Sequence, residues 1–353
     1  SYDKVITLKP DYPEAFNNRG TVLFEFNRLE EALASYDKAI VLKPDYAEAF
    51  NNRGNVLLGL NRLEEALASY DRAIALNPYY AETFVNRGEV LKELNRQEEA
   101  LASFERALAL NPDCEFVLGA KLHAQMKLCD WNQLSSQLQQ LEAALVEDQR
   151  VAPPFALSGL IDRPDLQFRA SSIYIEAKYP STHFLGDFSK SALDGKIRIG
   201  YFSADFHNHP ISYLMAELFE SHDTERFEIF GFYFGPDKRD EMRERVSAGF
   251  DQFFDVRNHS DREVVQMARD LGIDIAVDLN GFTSGARTGI FAARCAPIQI
   301  NYLGYPGTMA APYIDYIVAD QTLIPQQSQQ YYSEKVVYMP HSYQVNDSKR
   351  RIS

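Results

Sequence analysis

The sequence predicts an all-α helical solenoid followed by an α/β lobe built on a parallel sheet. The first observation is internal repetition, because residues 11–44, 45–78 and 79–112 are copies of one unit at a strict period of 34 residues. The second is a change of hydrophobic period near residue 196, after which short apolar runs alternate with amphipathic segments. Repeats of this length are typical of stacked helix pairs. Strands that alternate with helices indicate a parallel sheet covered on both faces.

Each repeat is predicted to contain two helices. In the copy 45–78 the pattern places helices over 47–60 and 63–76, and Pro78 ends the unit because proline cannot continue a helix. Small residues are expected where the two helices approach closely. In this copy they are Gly54, Ala66 and Ala73.

The repeat array extends beyond these copies. Residues 1–10 match the last part of a unit, and 113–146 keep helical periodicity but lose the pattern, as a capping unit would. We therefore predict a repeat domain over 1–146, a connector over 147–195 and a lobe over 196–353. Because the sequence starts inside a unit and without Met, we expect it to be a fragment at its front end.

The lobe is predicted from its alternating pattern. Strands are expected over 197–202, 227–234, 253–255, 273–279, 298–303, 313–318 and 336–339, and helices over 211–221, 239–249 and 261–271.

Composition excludes several classes of protein. Hydrophobic residues make up 45% of the chain and charged residues 24%, which is ordinary for a globular protein. The formal net charge of -14 disfavours a nucleic-acid partner, because an acidic surface repels phosphate backbones. There is no apolar run long enough to cross a membrane and no signal-peptide pattern. Three scattered cysteines without a CxxC pair argue against disulfides or zinc, so we expect a reducing, cytoplasmic location.

Ligands of parallel α/β sheets collect beyond the carboxyl ends of the strands. Three unusual loops are predicted there: 203–210 (SADFHNHP), 278–287 (DLNGFTSGAR) and 304–308 (GYPGT). They supply imidazole, carboxylate, amide, guanidinium and hydroxyl groups, which suit a sugar and a pyrophosphate. The sequence contains no dinucleotide GxGxxG, no phosphate-binding GxxxxGKS/T and no metal-binding Asp-x-Asp. We therefore expect neither a metal nor a cofactor.

The first helices of the repeats carry a second candidate site. Asn18, Asn52 and Asn86 recur at one register, two residues before the glycine of each unit. An amide both donates and accepts hydrogen bonds, so a ladder of amides could hold the backbone of an extended peptide. The alternative is that they are solvated amides copied by duplication.

Two stretches of the sequence resemble known families. The repeats resemble the tetratricopeptide repeat in their order of aromatic, Gly, Ala, aromatic, Ala and Pro. The lobe resembles the N-terminal catalytic lobe of O-linked N-acetylglucosamine (O-GlcNAc) transferases. The matching segments are 203–215 (SADFHNHPISYLM), 277–287 (VDLNGFTSGAR), 296–308 (APIQINYLGYPGT), 315–321 (DYIVADQ) and 332–341 (YSEKVVYMPH).

The resemblance implies a fold and an activity. The fold is a tetratricopeptide solenoid followed by one of the two Rossmann-like lobes of a GT-B glycosyltransferase. The activity is metal-independent, inverting transfer of GlcNAc from UDP-GlcNAc to Ser or Thr of proteins, whose chains the repeats bind. Because the family's second lobe supplies most UDP-binding groups, we expect this chain alone to be nearly inactive and to bind UDP weakly, which isothermal titration would test.

The resemblance also implies roles for single residues. His209 matches the active-site histidine of a His-Pro motif, either as general base or as a hydrogen-bonding group of the loop. Gly304, Tyr305, Pro306 and Thr308 match a loop that faces acceptor and donor, with a plain tight turn as the alternative.

We also predict the roles or exposure of five more residues of the lobe. Asn280, Thr283 and Arg287 are interpreted as substrate contacts, and pairing with Asp278 is the alternative for Arg287. His207 is expected to be exposed. His341, in the family's Met-Pro-His motif, has either a buried structural role or a functional one.

Three functions are compatible with the sequence. The first is a protein O-GlcNAc transferase, and the second is an O-fucosyltransferase of the Spindly kind or an N-glucosyltransferase on the same scaffold. The third is a non-enzymatic adaptor that uses only the repeat groove. The expected partners are acceptor proteins or peptides and a nucleotide sugar, without nucleic acid or membrane, and a homodimer is left open.

Overall fold

The computed structural model describes residues 2–182, 184–186, 188 and 195–350. The chain forms two compact units, Ser1–Ile161 and Asp162–Ser353. The boundary falls inside the predicted connector 147–195, so its two parts belong to different units. Residues 183, 187 and 189–194 of that connector, and residues 351–353 of the predicted lobe, lie outside the described residues.

The first unit consists of paired helices. They are α1 (Tyr2–Leu8), α2 (Pro13–Glu25), α3 (Leu29–Leu42), α4 (Ala47–Gly59), α5 (Leu63–Leu76), α6 (Ala81–Glu93), α7 (Gln97–Leu110), α8 (Val117–Lys127), α9 (Leu134–Val146) and the short α10 (Pro154–Ser158). Within the three full repeats, the turn between paired helices places Asn27, Asn61 and Asn95 at φ values of 55°, 56° and 58°. Asparagine tolerates this left-handed conformation better than most residues, which explains its recurrence in the turn.

Each helix pair packs through a glycine under an aromatic ring. A Cβ atom at Gly54 in α4 would lie only 2.7 Å from Cζ of Tyr70 in α5, and the Tyr70 ring is fully buried. The predicted close approach at Gly54 is therefore confirmed. The same contact joins Gly20 to Tyr36 and Gly88 to Phe104.

Neighbouring repeats are also joined by a recurring polar contact. Arg53 in α4 donates through Nε to Asp37 Oδ1 of the preceding α3 at 2.7 Å and through Nη1 to Ser69 Oγ of α5 at 2.6 Å. One guanidinium thus connects three successive helices. The set recurs as Arg19 with Asp3 and Ser35, and as Arg87 with Asp71 and Ser103.

The second unit is an α/β domain built on one parallel sheet. The strands are β1 (Ile197–Ser203), β2 (Phe227–Tyr233), β3 (Gln252–Asp255), β4 (Ile275–Asp278), β5 (Ile298–Asn301), β6 (Tyr316–Ala319) and β7 (Lys335–Tyr338). They form one sheet in the order β3-β2-β1-β4-β5-β6-β7, and every pairing is parallel. The predicted parallel α/β lobe is therefore confirmed.

Helices cover the sheet of the second unit. They are α11 (Pro164–Lys178), α12 (Pro210–Glu220), α13 (Glu241–Ala248), α14 (Asp261–Asp270), α15 (Thr288–Ala292) and a 3-10 helix over Gln326–Tyr331. Successive side chains of a strand point to opposite faces, so Phe202 of β1 packs in one core cluster with Ile175 of α11, whereas Tyr201 packs in another with Phe219 of α12. Among the described residues, no helix is long and apolar enough to cross a membrane.

Candidate active site

The three predicted loops meet at the carboxyl edge of the sheet. They follow β1, β4 and β5, which are adjacent in the sheet. Strands β2 and β3 lie on one side of β1, and strands β4 to β7 on the other, so the strand order reverses between β1 and β4. Such a switch point opens a crevice beyond the strand ends, where ligands of α/β sheets bind. The loops after β4 and β5 approach closely, because a Cβ atom at Gly304 would lie 2.9 Å from the Leu279 carbonyl carbon.

Asn280 links the loops after β1 and β4. Its Oδ1 accepts from the backbone N–H of Ala204 at 2.9 Å, and its Nδ2 donates to Asp205 Oδ2 at 2.8 Å and to Thr283 Oγ1 at 3.2 Å. The side chain has no exposed surface. Asn280 and Thr283 therefore shape the site from within, and their predicted contacts with substrate stay predictions.

His209 lies at the open side of this edge. It is the N-cap of α12, and its side chain is 38% exposed, so the imidazole is not in a closed apolar interior. Its Nδ1 lies 3.7 Å from Asp205 Oδ1 and 3.4 Å from the backbone N of Ile211. The structure thus brings His209 together with the loop of Asn280, as the sequence predicts.

His207 is buried, so the expectation that it is exposed is wrong. Only 6% of the residue is accessible, its ring packs against that of His209 at a centroid distance of 5.7 Å, and its Nδ1 has no hydrogen-bond partner among the described residues. Burial lowers the pKa of His207, and the charge of Lys238 acts in the same direction. The next residue, Asn208, donates its N–H to Asp240 Oδ2 in the segment after β2, and the sequence of the loop alone gives no sign of such distant contacts.

Two carboxyl groups lie beneath the site, and neither was predicted as a functional residue. Burial raises the pKa of Asp205, while the nearby His209 and the hydrogen bond from Asn280 oppose the shift. Burial raises the pKa of Asp278 to about 6, although the backbone N–H groups of Asn280 and Gly281 donate to it. Asp205 could have been suspected from its position four residues before His209.

Arg287 is held by other residues of the lobe. Its Nε donates to Asp261 Oδ1 at 2.8 Å, its Nη1 to the Val256 carbonyl at 3.0 Å and its Nη2 to the His259 carbonyl at 2.7 Å. The alternative pairing with Asp278 is therefore wrong. The guanidinium fixes the loop between β3 and α14, and its predicted contact with substrate stays a prediction.

The loop 304–308 is anchored at both ends. The Tyr305 ring is buried and packs edge-on against Phe282 at 5.2 Å, and Thr308 Oγ1 donates to the buried Glu334 at 2.7 Å. Burial raises the pKa of Glu334, opposed by the bond from Thr308. Pro306 is exposed at the tip of the loop. Tyr305 and Thr308 are thus buried and Pro306 is exposed, and the predicted contacts of Gly304, Tyr305, Pro306 and Thr308 with acceptor and donor stay predictions.

His341 follows the last strand and is exposed. Its buried structural alternative is therefore wrong.

Hydrogen bonds between amides join neighbouring repeats at two of the predicted positions, Asn52 and Asn86. Asn18 is exposed, and Asn52 and Asn86 are half-buried. Asn52 Nδ2 donates to Asn17 Oδ1 at 3.1 Å, and Asn86 Nδ2 donates to Asn51 Oδ1 at 3.2 Å. Asn17 and Asn51 form a second, buried column that was not predicted. It lies one residue before the predicted column and orients its amides from one repeat to the next.

Comparison with known proteins identifies the family. A family model described as "Glycosyl transferase family 41" matches residues 172–353, which is more than half of the chain and includes all three loops. The chain belongs to glycosyl transferase family 41. Models described as "TPR repeat" and "Tetratricopeptide repeat" match residues 20–61 and residues 47–80 and 81–114, which confirms the interpretation of the repeats.

Two relatives of the chain carry names that agree with the predicted resemblance. The chain is 35% identical over 246 residues to the "Probable UDP-N-acetylglucosamine--peptide N-acetylglucosaminyltransferase SEC" of Arabidopsis thaliana, covering 65% of this chain and 25% of the relative. It is 33% identical over 239 residues to the "UDP-N-acetylglucosamine--peptide N-acetylglucosaminyltransferase" of Caenorhabditis elegans, covering 62% and 20%. The resemblance to O-GlcNAc transferases is thus confirmed. The chain spans a quarter or less of the length of these relatives.

A solved structure of the same kind supports the fold. A mutant of the Thermobaculum terrenum O-GlcNAc transferase superposes with a TM-score of 0.60 at 24% sequence identity, covering 94% of this chain and 58% of that chain. At this level of identity the likeness concerns the fold alone.

Proposed function

We propose that this family 41 protein transfers GlcNAc from UDP-GlcNAc to Ser or Thr hydroxyls of proteins, with inversion and without a metal. The observation that carries the proposal is the half-exposed His209 at the sheet's switch point, beside the loops of Asn280 and Tyr305. These loops lie in the segment that matches the family model. The names of the two relatives specify the donor and the peptide acceptor for those proteins.

The chemistry needs one group that accepts a proton. The acceptor hydroxyl oxygen attacks C1 of the sugar from the face opposite UDP, and the bond from C1 to the diphosphate oxygen breaks. The electron pair leaves with UDP, and the hydroxyl proton passes to a base. An imidazole titrates near neutrality and suits this task. We assign it to His209, because its side chain is accessible at the open edge of the crevice.

We propose further that the Asn ladder of the repeats holds the acceptor polypeptide. Asn52 and Asn86 each donate through Nδ2 to a neighbouring repeat, and within the part of the chain that the structure describes neither Oδ1 accepts a hydrogen bond. An extended backbone offers N–H groups to such acceptors. The test is a fluorescence-anisotropy titration with an unstructured acceptor peptide. Replacing Asn18, Asn52 and Asn86 together by Ala should weaken binding, whereas unchanged affinity would contradict this role.

A panel of nucleotide sugars tests the proposed donor. The native protein, meaning the form that includes the second lobe implied by the resemblance, is incubated with an acceptor protein and either UDP-GlcNAc, GDP-fucose or UDP-glucose, and the acceptor is analysed by intact-mass spectrometry. We expect the mass of N-acetylhexosamine to be added with UDP-GlcNAc alone. Transfer of only fucose or glucose would assign a different transferase on the same scaffold, and transfer of no sugar would favour the adaptor.

We also propose a cytoplasmic location. The support is chemical, since Cys114, Cys129 and Cys295 are all free thiols, as expected in a reducing compartment. Fractionation of the source cells would test it, and recovery from a membrane or secreted fraction would contradict it. Light scattering of the purified protein would decide whether it forms the homodimer that the sequence leaves open.

A further inference from the structure

Asp205 lies between the partly exposed imidazole of His209 and the buried side chain of Asn280. Its Oδ1 faces His209 Nδ1 at 3.7 Å, and its Oδ2 accepts from Asn280 Nδ2 at 2.8 Å. The Asp205 side chain is 14% exposed, against 38% for His209. The two oxygens of one carboxyl group thus face a partly exposed imidazole on one side and a buried amide on the other.

The backbone of Asp205 is fixed as well. Its N–H donates to Ser203 Oγ at 2.9 Å, and its carbonyl accepts from Ser212 Oγ at 2.7 Å. Contacts from β1, from α12 and from the loop after β4 therefore all hold the same residue. Of the pair, His209 is the more exposed side chain, and the hydrogen bond proposed below requires its Nδ1 to approach Asp205 Oδ1 from the present 3.7 Å.

We propose that Asp205 is a positioning residue for His209. It accepts a hydrogen bond from the Nδ1–H of the imidazole, so that Nε2 is the nitrogen that receives the proton of the acceptor hydroxyl. In its ionised form Asp205 stabilises the imidazolium, while UDP leaves with the electron pair of the broken bond. This role rests on the proposed transferase function. A base that is itself oriented by a third group is a general arrangement in proton-transfer sites.

The Ile211 N–H competes with Asp205 for the same nitrogen of His209, and this competition allows the proposal to be tested. The Ile211 N–H lies 3.4 Å from His209 Nδ1, and a hydrogen bond there requires an Nδ1 without a proton. The two contacts therefore demand opposite tautomers of the neutral ring. We favour the carboxylate, because hydrogen bonds to ionised acceptors are about twice as strong as neutral ones.

Other ionisable groups lie close to Asp205 and His209, and their charges influence the titration of this pair. His207 interacts with both members, Lys238 and Asp240 face His207, and Tyr233 faces Asp205. A valid test must therefore compare variants that differ in one group only.

The first test is the tautomer of His209, measured by long-range 1H–15N correlation spectra of the chain at a pH where the ring is neutral. Asp205→Asn keeps an oxygen that can accept from Asn280 but removes the charge. The matched control is Asp270→Asn, which removes an exposed carboxylate at the end of α14. We expect the Nδ1–H form in the wild type and in Asp270→Asn, and its loss in Asp205→Asn. An Nε2–H form in the wild type would overturn the proposal.

The second test is kinetic and uses the native protein with the donor identified above. Asp205→Asn should lower kcat about 100-fold or more with little change in KM, and should move the acid limb of the pH–rate profile to lower pH because the imidazolium loses its partner. Asp205→Glu should recover part of the rate, and Asp270→Asn should match the wild type. Wild-type kcat and pH profile in Asp205→Asn would refute the role. Absence of any transfer by the wild type would instead contradict the proposed function, and the tautomer result would then decide the role of Asp205.

Discussion

Gly54 shows how one residue sets the geometry of a helix pair. The hydrogen on its Cα faces the Tyr70 ring, and a methyl group there would lie within 2.7–2.8 Å of ring atoms Cζ and Cδ1. The ring is fully buried and its hydroxyl donates to Asn55 Oδ1, so it has little freedom to move. The helices can approach as they do only because this position lacks a side chain.

Replacing Gly54 by Ala should therefore destabilise the repeats. We expect the overpacking to lower the free energy of unfolding by about 1–3 kcal/mol, even after the gain of roughly 1 kcal/mol in helix propensity. Urea unfolding followed by circular dichroism measures the change. The control is Gly59→Ala in the same helix, where the new methyl group would lie 3.4 Å from a flexible Leu29 end, and where we expect unchanged or higher stability. Equal effects of the two substitutions would contradict the packing argument.

At the residue scale, the sequence could reveal periodic features but not tertiary neighbours. The role of Gly54 follows from its recurrence at each repeat. The burial of His207 does not follow from any such recurrence. Arg287 pairs with Asp261 and not with Asp278, which is nearer in sequence, because its guanidinium also binds the carbonyls of the loop after β3. The exposure of His209, by contrast, agrees with a site at the strand ends.

Helix α8 contains a buried histidine, which makes the stability of the first unit depend on pH. His123 is 8% accessible and packs edge-on against Phe155 at 6.4 Å. Burial first, and then the charges of Lys127 and Lys92, lower the pKa of His123 from 6.5 to about 4. Between these values the unfolded chain binds a proton that the folded chain does not.

The contribution of His123 to stability is therefore complete above about pH 6.5 and is lost as the pH falls toward 4. We expect the wild type to lose more stability over this range than His123→Gln, as measured by urea unfolding at a series of pH values. His341→Gln, which removes an exposed histidine, is the control and should follow the wild type. The same pH slope in all three proteins would contradict the assignment.

At the scale of elements, hydrophobic pattern and breaker residues located the helices and strands well, and tertiary contacts shifted their ends. The predicted helix over 63–76 is observed as Leu63–Leu76. The strand predicted over 313–318 is instead Tyr316–Ala319. Tyr313 lies before it because its hydroxyl donates to the Tyr179 carbonyl and its own carbonyl accepts from the buried Gln299. These partners are distant in sequence, so the apolar run alone could not show that its first residues leave the sheet.

For the whole molecule, the alternation of strands and helices predicted the parallel sheet, and the strand order explains where its chemistry lies. The reversal between β1 and β4 places the loops of His209 and Asn280 side by side, although they are far apart in sequence. Motif composition identified these loops. It could not separate the exposed residues, such as His209 and Pro306, from the buried ones, such as Asn280 and Thr308, because all of them are polar or turn-forming.

The central claim is that His209 accepts the proton of the acceptor hydroxyl when the sugar is transferred. The most direct test is the rate at which the native protein and its His209→Ala variant transfer GlcNAc from UDP-GlcNAc to one acceptor protein, with equal folding of the two proteins checked by thermal unfolding. We predict a fall of about 100-fold or more for the variant. Equal rates in two folded proteins would contradict the assignment of His209 to the reacting centre.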